Sequence, residues 1–416
     1  MRNYSIRNTK KNNAGHELDM YAEFMLKKQN HFYIIGSENE VIGFYNKTGR
    51  YFKEEGYQLL GFWHKDVQNQ NGGGDSVHLV PIVEEAIIYA DKQAVIICTA
   101  RERKEYDDLK NSFAEKGFIE NQTFFQGEVF SMIYDVYIRD VIRIDRVEVF
   151  LTSCCTLKCE KCISYIPYFK NVYHTSLAQL KSDADVLFKN VDYIYKLKLL
   201  GGEGFLYPYL IEYIDYVYEN YGEKIGTIRI GTNGTIFPKI EILEMCKRDH
   251  VTIDISDYRV AVPDRCKLEE VKKYCLDNGV AVDIKRTGEQ WLDMGFPDNK
   301  PEFEGEKQIQ RHFHKCAMFC RQFAKGKLYF CCSNFAAVAA GLFPDSENDY
   351  FDFNKQFSKK ELLEFELGYS ELGHTTFCGV CGGCSEEANS RRVEVAKQIK
   401  WEGKNENIYA DRFSRI

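Results

Sequence analysis

Short apolar runs alternate with longer amphipathic stretches along most of the chain, and this alternation restricts the fold more than any other feature. The apolar runs predict buried strands, and the stretches between them have the spacing of helices. Repeated strand–helix units place parallel strands side by side, with helices covering the sheet. The 416 residues contain two successive sets of such units. The sequence therefore predicts an α/β protein of two or three domains.

The first set lies at residues 31–140, after an N-terminal arm at 1–30. Its predicted strands are HFYIIGS, YQLLGFW and AVIICTA. A turn at Gly36 and the acidic Asp66 after the second strand resemble a Rossmann-like domain, which implies a nucleotide-linked ligand. The G-x-G-x-x-G pattern is absent, however, so we favour a scaffold or docking domain.

The second set, at residues 145–300, predicts a partial barrel. Its predicted strands lie at 147–152, 195–200, 225–231, 251–256 and 281–286. After a longer first unit they recur at roughly 28 residues, which is the spacing of repeated β/α units. We therefore expect a partial (β/α)6 TIM-like barrel.

The chain has 15 cysteines, and their number and grouping indicate metal chemistry. An odd number without an export signal favours reduced thiols in the cytoplasm over a disulfide framework. Clustered thiolates in such a chain usually hold metal. Outside the two groups described below, we expect core thiols at Cys98, Cys246 and Cys275 and packed thiols at Cys154, Cys320 and Cys332. For Cys154, Cys320 and Cys332, a spare cluster ligand or a hydrogen-atom donor is the alternative.

The first cysteine group stands in CTLKCEKC, directly after the first predicted barrel strand. Cys155, Cys159 and Cys162 can hold three irons of a four-iron cluster and leave the fourth iron open to a small molecule. The loops after the strands are also where β/α barrels carry their active sites. A zinc loop is the alternative, but structural zinc usually takes four protein ligands.

This C-x3-C-x2-C spacing resembles the signature of the radical S-adenosylmethionine (SAM) superfamily, and the resemblance extends across residues 147–290. It implies a SAM-binding 4Fe-4S cluster on these three cysteines. Gly204 stands where the family often has proline, and Lys161 stands where many members have an aromatic residue near the adenine. The resemblance also implies SAM contacts at successive strand ends, by Gly201, Gly202, Glu203, Asn233, Ser256 and Asp257.

A second cysteine group lies in a predicted module at residues 305–402. Its opening, with Gly326 between two cysteines, resembles the SPASM and Twitch auxiliary-cluster domains. The resemblance implies one auxiliary 4Fe-4S cluster of the Twitch kind, with a zinc site as the alternative. Its implied ligands are Cys316, Cys331, Cys378 and Cys381, and Cys384 could replace one of the last pair.

Several further features narrow the function classes. The formal net charge is −7, which disfavours general nucleic-acid binding, and no apolar run is long enough to predict a membrane span. His312 and His314 occupy alternate positions that share no helix face, so we expect a solvated or packing pair. We also expect a closing helix around 386–402 and a tail at 403–416.

The resemblance implies that a one-electron donor such as flavodoxin or ferredoxin reduces the first cluster. SAM is then cleaved to a 5′-deoxyadenosyl radical, which abstracts hydrogen from the substrate. The context CTLKCEKC…IPYF resembles radical SAM proteins of glycan and sugar gene neighbourhoods. This implies an oxidoreductase or isomerase acting on a sugar, a nucleotide sugar or another small polar or glycan-precursor substrate. The alternatives are modification of a ribosomally made peptide and a non-catalytic iron–sulfur or zinc redox sensor.

Overall fold

The structure is a computed structural model that describes residues 9–63, 81–286, 290–318, 320–384 and 392–399. Its helices within these ranges are α1 (Lys11–Met25), α2 (Glu38–Lys47), α3 (Glu85–Ala90), α4 (Arg103–Ala114), α5 (Gly127–Ile138), α6 (Leu177–Asn190), α7 (Leu210–Tyr221), α8 (Ile240–Cys246), α9 (Leu268–Asp277), α10 (Glu306–Lys315), α11 (Cys332–Ala339) and α12 (Lys359–Glu366).

The strands of the same ranges form three sheets. They are β1 (His31–Ile35), β2 (Gln58–Trp63), β3 (Ala94–Cys98), β4 (Phe124–Gln126), β5 (Arg143–Thr152), β6 (Tyr193–Gly201), β7 (Ile228–Thr232), β8 (Val251–Asp257), β9 (Val282–Arg286), β10 (Gln290–Leu292), β11 (Arg321–Ala324), β12 (Lys327–Tyr329), β13 (Tyr350–Asp352) and β14 (Arg392–Glu394). The predicted α/β class is confirmed.

The first domain is built on a parallel sheet with the order β2-β1-β3-β4 in the described residues. Its three predicted strands are present. The short β4 was not predicted, because three residues are too few to show a period. Part of the N-terminal arm is the regular helix α1, whose Leu18 and Met25 are buried in the main core.

The barrel region forms the large sheet, with the order β13-β12-β11-β5-β6-β7-β8-β9 among the described residues. The five strands predicted between 145 and 300 are β5 to β9, all parallel to their neighbours. A sixth parallel strand, β11, pairs with β5 and comes from the cysteine-rich region. The sheet thus joins two segments that the sequence assigns to separate modules.

The two faces of the large sheet differ in polarity. Val147, Val149 and Leu151 of β5 are buried in the apolar core. Because alternate residues of a strand point to opposite faces, Glu148 and Thr152 lie on the other face. Thr152 ends β5, so this second face leads directly to the cysteine loop.

The predicted closing helix is wrong for the residues that the structure describes. Residues 392–394 form β14, which pairs antiparallel with β10, and Gln398 makes an isolated bridge to Cys159. The segment forms backbone hydrogen bonds with the edge of β10 and with the loop that carries Cys159. A helix in this place would leave those backbone groups of β10 and of the loop without this partner. The remainder of the predicted helix, at 386–391 and 400–402, and the tail at 403–416 lie outside the described residues.

None of the helices in the described ranges has the length and apolar character needed to cross a lipid bilayer.

Candidate functional site

The cysteine loop follows β5, and its three predicted ligands converge. Cys159 is buried, and Cys155 and Cys162 are half-buried. Burial raises the pKa of Cys159 to about 12, and the neighbouring Cys162 contributes to that rise. Burial also raises the pKa of Cys155, to which the charges of Glu203, Cys162 and Cys159 add. The three thiols are therefore near enough to act on one another, but their sulfurs do not all lie within 4.8 Å of one another, a wider spacing than one zinc ion with Zn–S bonds of about 2.3 Å requires.

Nitrogen donors point at these sulfur atoms. The backbone N–H of Leu157 lies 3.4 Å from Cys155 Sγ, and Asn233 Nδ2 lies 3.5 Å from the same atom. Gln398 Nε2 lies 3.4 Å from Cys159 Sγ. Neutral thiols accept hydrogen bonds only weakly. Three converging thiols with N–H donors directed at them therefore fit an anionic iron–sulfur cluster in the predicted position.

The glycines after β6 are required by close backbone packing. A Cβ atom on Gly201 would lie 2.1 Å from the carbonyl oxygen of Thr152, and one on Gly202 would lie 2.2 Å from that of Cys154. The same holds for Gly204, whose Cβ would lie 2.6 Å from the carbonyl oxygen of Gly231. This contact accounts for the glycine at position 204.

Glu203 is fully buried beside the cysteine loop. Its carboxylate accepts the backbone N–H of Asn233 at 2.8 Å and that of Phe205 at 3.2 Å. Burial raises its pKa to about 7. The structure thus gives Glu203 a role in joining the ends of β6 and β7. Its expected contact with SAM stays a prediction.

The other predicted SAM contacts are also engaged within the chain. Asn233 Nδ2 donates to Thr156 at 2.9 Å, and Asn233 Oδ1 accepts from the N–H of Thr235 at 3.0 Å. The carboxylate of Asp257 is held by Arg259 at 2.7 and 2.9 Å. Ser256 lies near Tyr258, whose raised pKa, caused mainly by burial, it partly lowers. These residues shape the strand ends, and their SAM contacts stay predictions.

An aromatic residue near the cysteines was missed by sequence reasoning. Lys161 forms ion pairs with Asp293 at 3.5 Å and Asp298 at 3.3 Å. Tyr258, directly after β8, is close enough to the three cysteines that their charges raise its pKa, although burial is the larger cause. Its ring meets Trp291 edge to face, with centroids 5.6 Å apart. Its place after a barrel strand was the available signal.

The second cysteine group also converges. Burial raises the pKa of Cys381, and the charges of Cys331, Cys316 and Cys378 raise it further. Cys384 also approaches this group, since its backbone N–H lies 3.4 Å from Cys316 Sγ, and its role as an alternative ligand stays a prediction. Four neighbouring thiols fit the predicted auxiliary cluster. Among the described residues they do not form a group whose sulfurs all lie within 4.8 Å of one another, so their spacing is wider than one zinc ion with Zn–S bonds of about 2.3 Å requires.

A disulfide corrects the expectation that all thiols are reduced. Cys320 and Cys332 were predicted to be packed thiols, and they are bonded to each other with their Cα atoms 5.4 Å apart. The N–H of Cys332 donates to the carbonyl of Cys320 at 2.9 Å, which aligns the two backbones. The carboxylate of Glu148 lies within 4.8 Å of both sulfurs. By contrast, the predicted core cysteines Cys98, Cys246 and Cys275 are confirmed as buried.

One face of the large sheet carries fixed charges of both signs, which is unusual because barrel interiors are mostly filled by branched apolar residues. Arg146 lies 2.9 Å from Glu148, Arg229 Nε lies 2.8 Å from Asp254, and Lys198 lies 4.0 Å from Asp254. Burial raises the pKa of Glu148 and lowers that of Lys198. We call this set the charged face: Arg146, Glu148, Lys198, Arg229 and Asp254.

The first domain has a cavity of about 290 Å³ at the carboxyl ends of its strands, lined by residues that include Glu40, Thr99 and Gln126. Parallel sheets of this order commonly bind ligands there. At the start of α2, however, Glu40 accepts the N–H of Ser37 at 3.2 Å and that of Arg101 at 3.0 Å. A carboxylate thus occupies the position that a phosphate would take, and Asp66 lies outside the described residues.

No family model matches the chain, and no curated protein matches it. Solved structures align with parts of it. BtrN in complex with AdoMet and 2-DOIA is 16% identical over 62% of this chain and 98% of its own, with a TM-score of 0.41. Streptococcus suis SuiB bound to S-adenosylmethionine is 15% identical over 44% of this chain and 40% of its own, with a TM-score of 0.28. Native anSMEcpe with bound AdoMet is 12% identical over 55% of this chain and 81% of its own, with a TM-score of 0.35. These values are too low to transfer a function, so the proposed function rests on the site residues.

Proposed function

We propose that this chain is a radical SAM enzyme that abstracts hydrogen from a small polar substrate. The observation that carries the proposal is the loop of Cys155, Cys159 and Cys162 after β5, which packs against Gly202 and receives side-chain N–H donors from Asn233 and Gln398 at its sulfurs. Three thiols leave one iron of a four-iron cluster free for another ligand. When bound, such a cluster supplies the electron that cleaves SAM.

The chain's own residues orient and shield the reactants. Gly201 and Gly202 bring the end of β6 against the cysteine loop, and Glu203 fixes the start of the next loop through the N–H of Asn233. The N–H groups of Gly202 and Glu203 donate to the carbonyls of Thr152 and Cys154 at 2.7 Å, so the acceptors for the SAM amino group would be backbone carbonyls of this edge. The site lies at the carboxyl ends of the strands, where barrel enzymes bind substrate.

The charged face supports a hydrophilic substrate. Its carboxylates and cations lie on the same face as Thr152, which ends at the cysteine loop. Fixed charges at a partly buried surface bind a ligand that brings its own charged or hydroxyl groups. This favours a sugar, a nucleotide sugar or another small polar metabolite over an apolar one. A ribosomally made peptide is the second candidate substrate.

The auxiliary cluster would complete an oxidative reaction. The thiols of Cys316, Cys331, Cys378 and Cys381 form a full ligand set, so a cluster held there would have no iron open to SAM. It would accept an electron when the substrate radical is oxidised, which favours dehydrogenation over redox-neutral epimerisation. A flavodoxin or ferredoxin would supply the first electron.

Cluster content and SAM cleavage test the proposal. Anaerobic reconstitution should give about eight irons per chain, and dithionite with SAM should then yield 5′-deoxyadenosine. Replacement of Cys155, Cys159 and Cys162 by Ala should abolish that product and leave about four irons. A chain that holds only zinc, or that loads iron without forming 5′-deoxyadenosine, would contradict the proposal and favour the redox sensor.

The substrate class is tested by the rate of SAM cleavage. Addition of a UDP-sugar should accelerate 5′-deoxyadenosine formation above the rate without substrate, whereas a short unmodified peptide should not. Acceleration by peptide alone would contradict the small-molecule assignment while leaving the enzyme class intact.

A further inference from the structure

We propose that Gln398 is a positioning residue that makes the SAM-binding cluster easier to reduce. Residues 392–399, here named the closing segment, hold Gln398 beside Cys159. The inference rests on the proposed function, because it assumes a cluster on Cys155, Cys159 and Cys162. It assigns a role to a part of the chain that lies more than 230 residues from the cysteine loop in sequence.

The closing segment and the cysteine loop pair as short antiparallel strands. The N–H of Glu160 donates to the carbonyl of Lys397 at 2.7 Å, and the N–H of Ile399 donates to the carbonyl of Lys158 at 3.0 Å. These two bonds stand on either side of Cys159, which forms the bridge with Gln398. The backbone on both sides of one cluster ligand is therefore fixed by this segment.

The side chain of Gln398 is held at both ends of its amide. Its Oε1 accepts the N–H of Lys158 at 2.8 Å, while its Nε2 donates to the carbonyl of Ala396 at 2.6 Å. Because a backbone donor faces the oxygen, the nitrogen must be the end that faces Cys159. That nitrogen lies 3.4 Å from Cys159 Sγ, within hydrogen-bond distance for sulfur.

The closing segment is held in place by strand pairing and by burial. β14 pairs with β10 through three residue pairs, which begin at Gln290 and Glu394. The next two residues, Val395 and Ala396, are 1% and 0% exposed. This anchoring limits the freedom of Gln398, so its amide is already oriented before any cluster binds.

A hydrogen bond to a ligand sulfur favours the reduced cluster. Reduction adds negative charge, which spreads onto the thiolate sulfurs, and an N–H donor stabilises that charge. Hydrogen bonds to sulfur are among the terms that set the potential of iron–sulfur clusters. An oriented amide should stabilise the added charge at little entropic cost.

Potentiometry on the reconstituted holoprotein tests the inference. The reduced cluster is followed by electron paramagnetic resonance, and the signal that changes on addition of SAM identifies the first cluster. At the wild-type midpoint potential, Gln398→Leu should lower the ratio of reduced to oxidised cluster by about tenfold, which corresponds to about 59 mV for one electron. Gln398→Glu should shift it further in the same direction, because a carboxylate repels the added electron.

A matched control separates tuning from general damage. Lys397 forms an exposed ion pair with Glu160 at 3.0 Å, next to Gln398 in sequence. Lys397→Ala should leave the ratio unchanged, since the backbone pairing does not need its side chain. Gln398→Glu keeps an acceptor for the N–H of Lys158, so it should retain full iron even where Gln398→Leu does not.

The outcomes are distinguishable. Wild-type potentials in both Gln398 variants, or an equal shift in Lys397→Ala, would overturn the inference. Loss of iron from both Gln398 variants with an intact Lys397→Ala chain would also overturn it, because Gln398 would then hold the loop without tuning the cluster. A wild-type chain that takes up iron but shows no SAM-responsive signal would overturn the proposed function first.

Discussion

At the scale of single residues, glycines mark where two strand ends touch. Gly202 leaves no room for a side chain, since its Cβ would meet the carbonyl oxygen of Cys154. The sequence motif identified these glycines through a resemblance, whereas the structure gives the physical reason. Tyr258 is one of 27 tyrosines, and only its position just after the strand predicted at 251–256 distinguishes it in the sequence.

Gly202→Ala should destabilise the chain and loosen the cysteine loop. The added Cβ would lie 2.2 Å from a backbone oxygen, so the backbone itself must shift. We expect a loss of about 1–3 kcal/mol in the free energy of unfolding and a lower iron content after reconstitution. Gly222→Ala is the control, because nothing lies within 4 Å of its Cβ position. Equal stability of the two variants in urea would contradict this account.

Asp183 should make stability depend on pH. Burial raises its pKa above the ordinary 3.8, although the N–H groups of Lys325 and Gly326 oppose the rise. The folded chain therefore binds a proton that the unfolded chain has released, and this contribution to stability is lost as pH rises from about 3.8 through the raised value.

Asp183→Asn should remove that part of the pH dependence. The wild-type free energy of unfolding should fall more steeply than that of the variant as pH rises through this window. The variant should also be less stable by about 1–3 kcal/mol, because one N–H of the turn at Gly326 loses its acceptor. Parallel curves in urea titrations at several pH values would contradict the assignment.

At the scale of elements, strands with regular patterns could be predicted and their long-range partners could not. The strands β5 to β9 follow apolar runs that are visible in the sequence. The pairing of β11 with β5 joins residues more than 170 positions apart, and the local hydrophobic periodicity does not predict such a pairing. The closing segment was misassigned for the same reason, since its structure is set by β10 and the cysteine loop.

The disulfide that links the residue before β11 to the start of α11 gives a countable outcome. With 15 cysteines and one bond between Cys320 and Cys332, 15 − 2 = 13 thiols should react with an alkylating agent in denaturant after iron removal. Mass spectrometry should identify the protected pair. Fifteen modified thiols without added reductant would contradict the bond. Reduction should cost about 3 kcal/mol of stability, as expected for a loop of this size.

At the scale of the whole molecule, the predicted modules share one apolar core. It includes Leu18 of α1, Phe130 of α5, Leu199 of β6 and Phe365 of α12. The alternation of apolar runs and amphipathic stretches predicted the α/β class correctly. Sequence patterns could not show that these parts share a core, because a local pattern contains no information about contacts between distant segments.

Unfolding should therefore be a single transition. Because the shared core links the first domain to the large sheet, loss of one should expose apolar surface on the other. Circular dichroism and tryptophan fluorescence should give coincident melting curves for the cluster-free chain. Two separated transitions would show that the domains are energetically independent.

The parallel strand contributed by the cysteine-rich region has a practical consequence for anyone seeking a minimal fragment. β11 covers the backbone edge of β5, the strand that leads into the cysteine loop. A fragment that ends before β11 would leave backbone N–H and C=O groups of β5 unpaired at the edge of the sheet. Such an edge promotes aggregation. The smallest stable fragment must therefore extend beyond Ala324, even though every strand predicted for the barrel lies before residue 287.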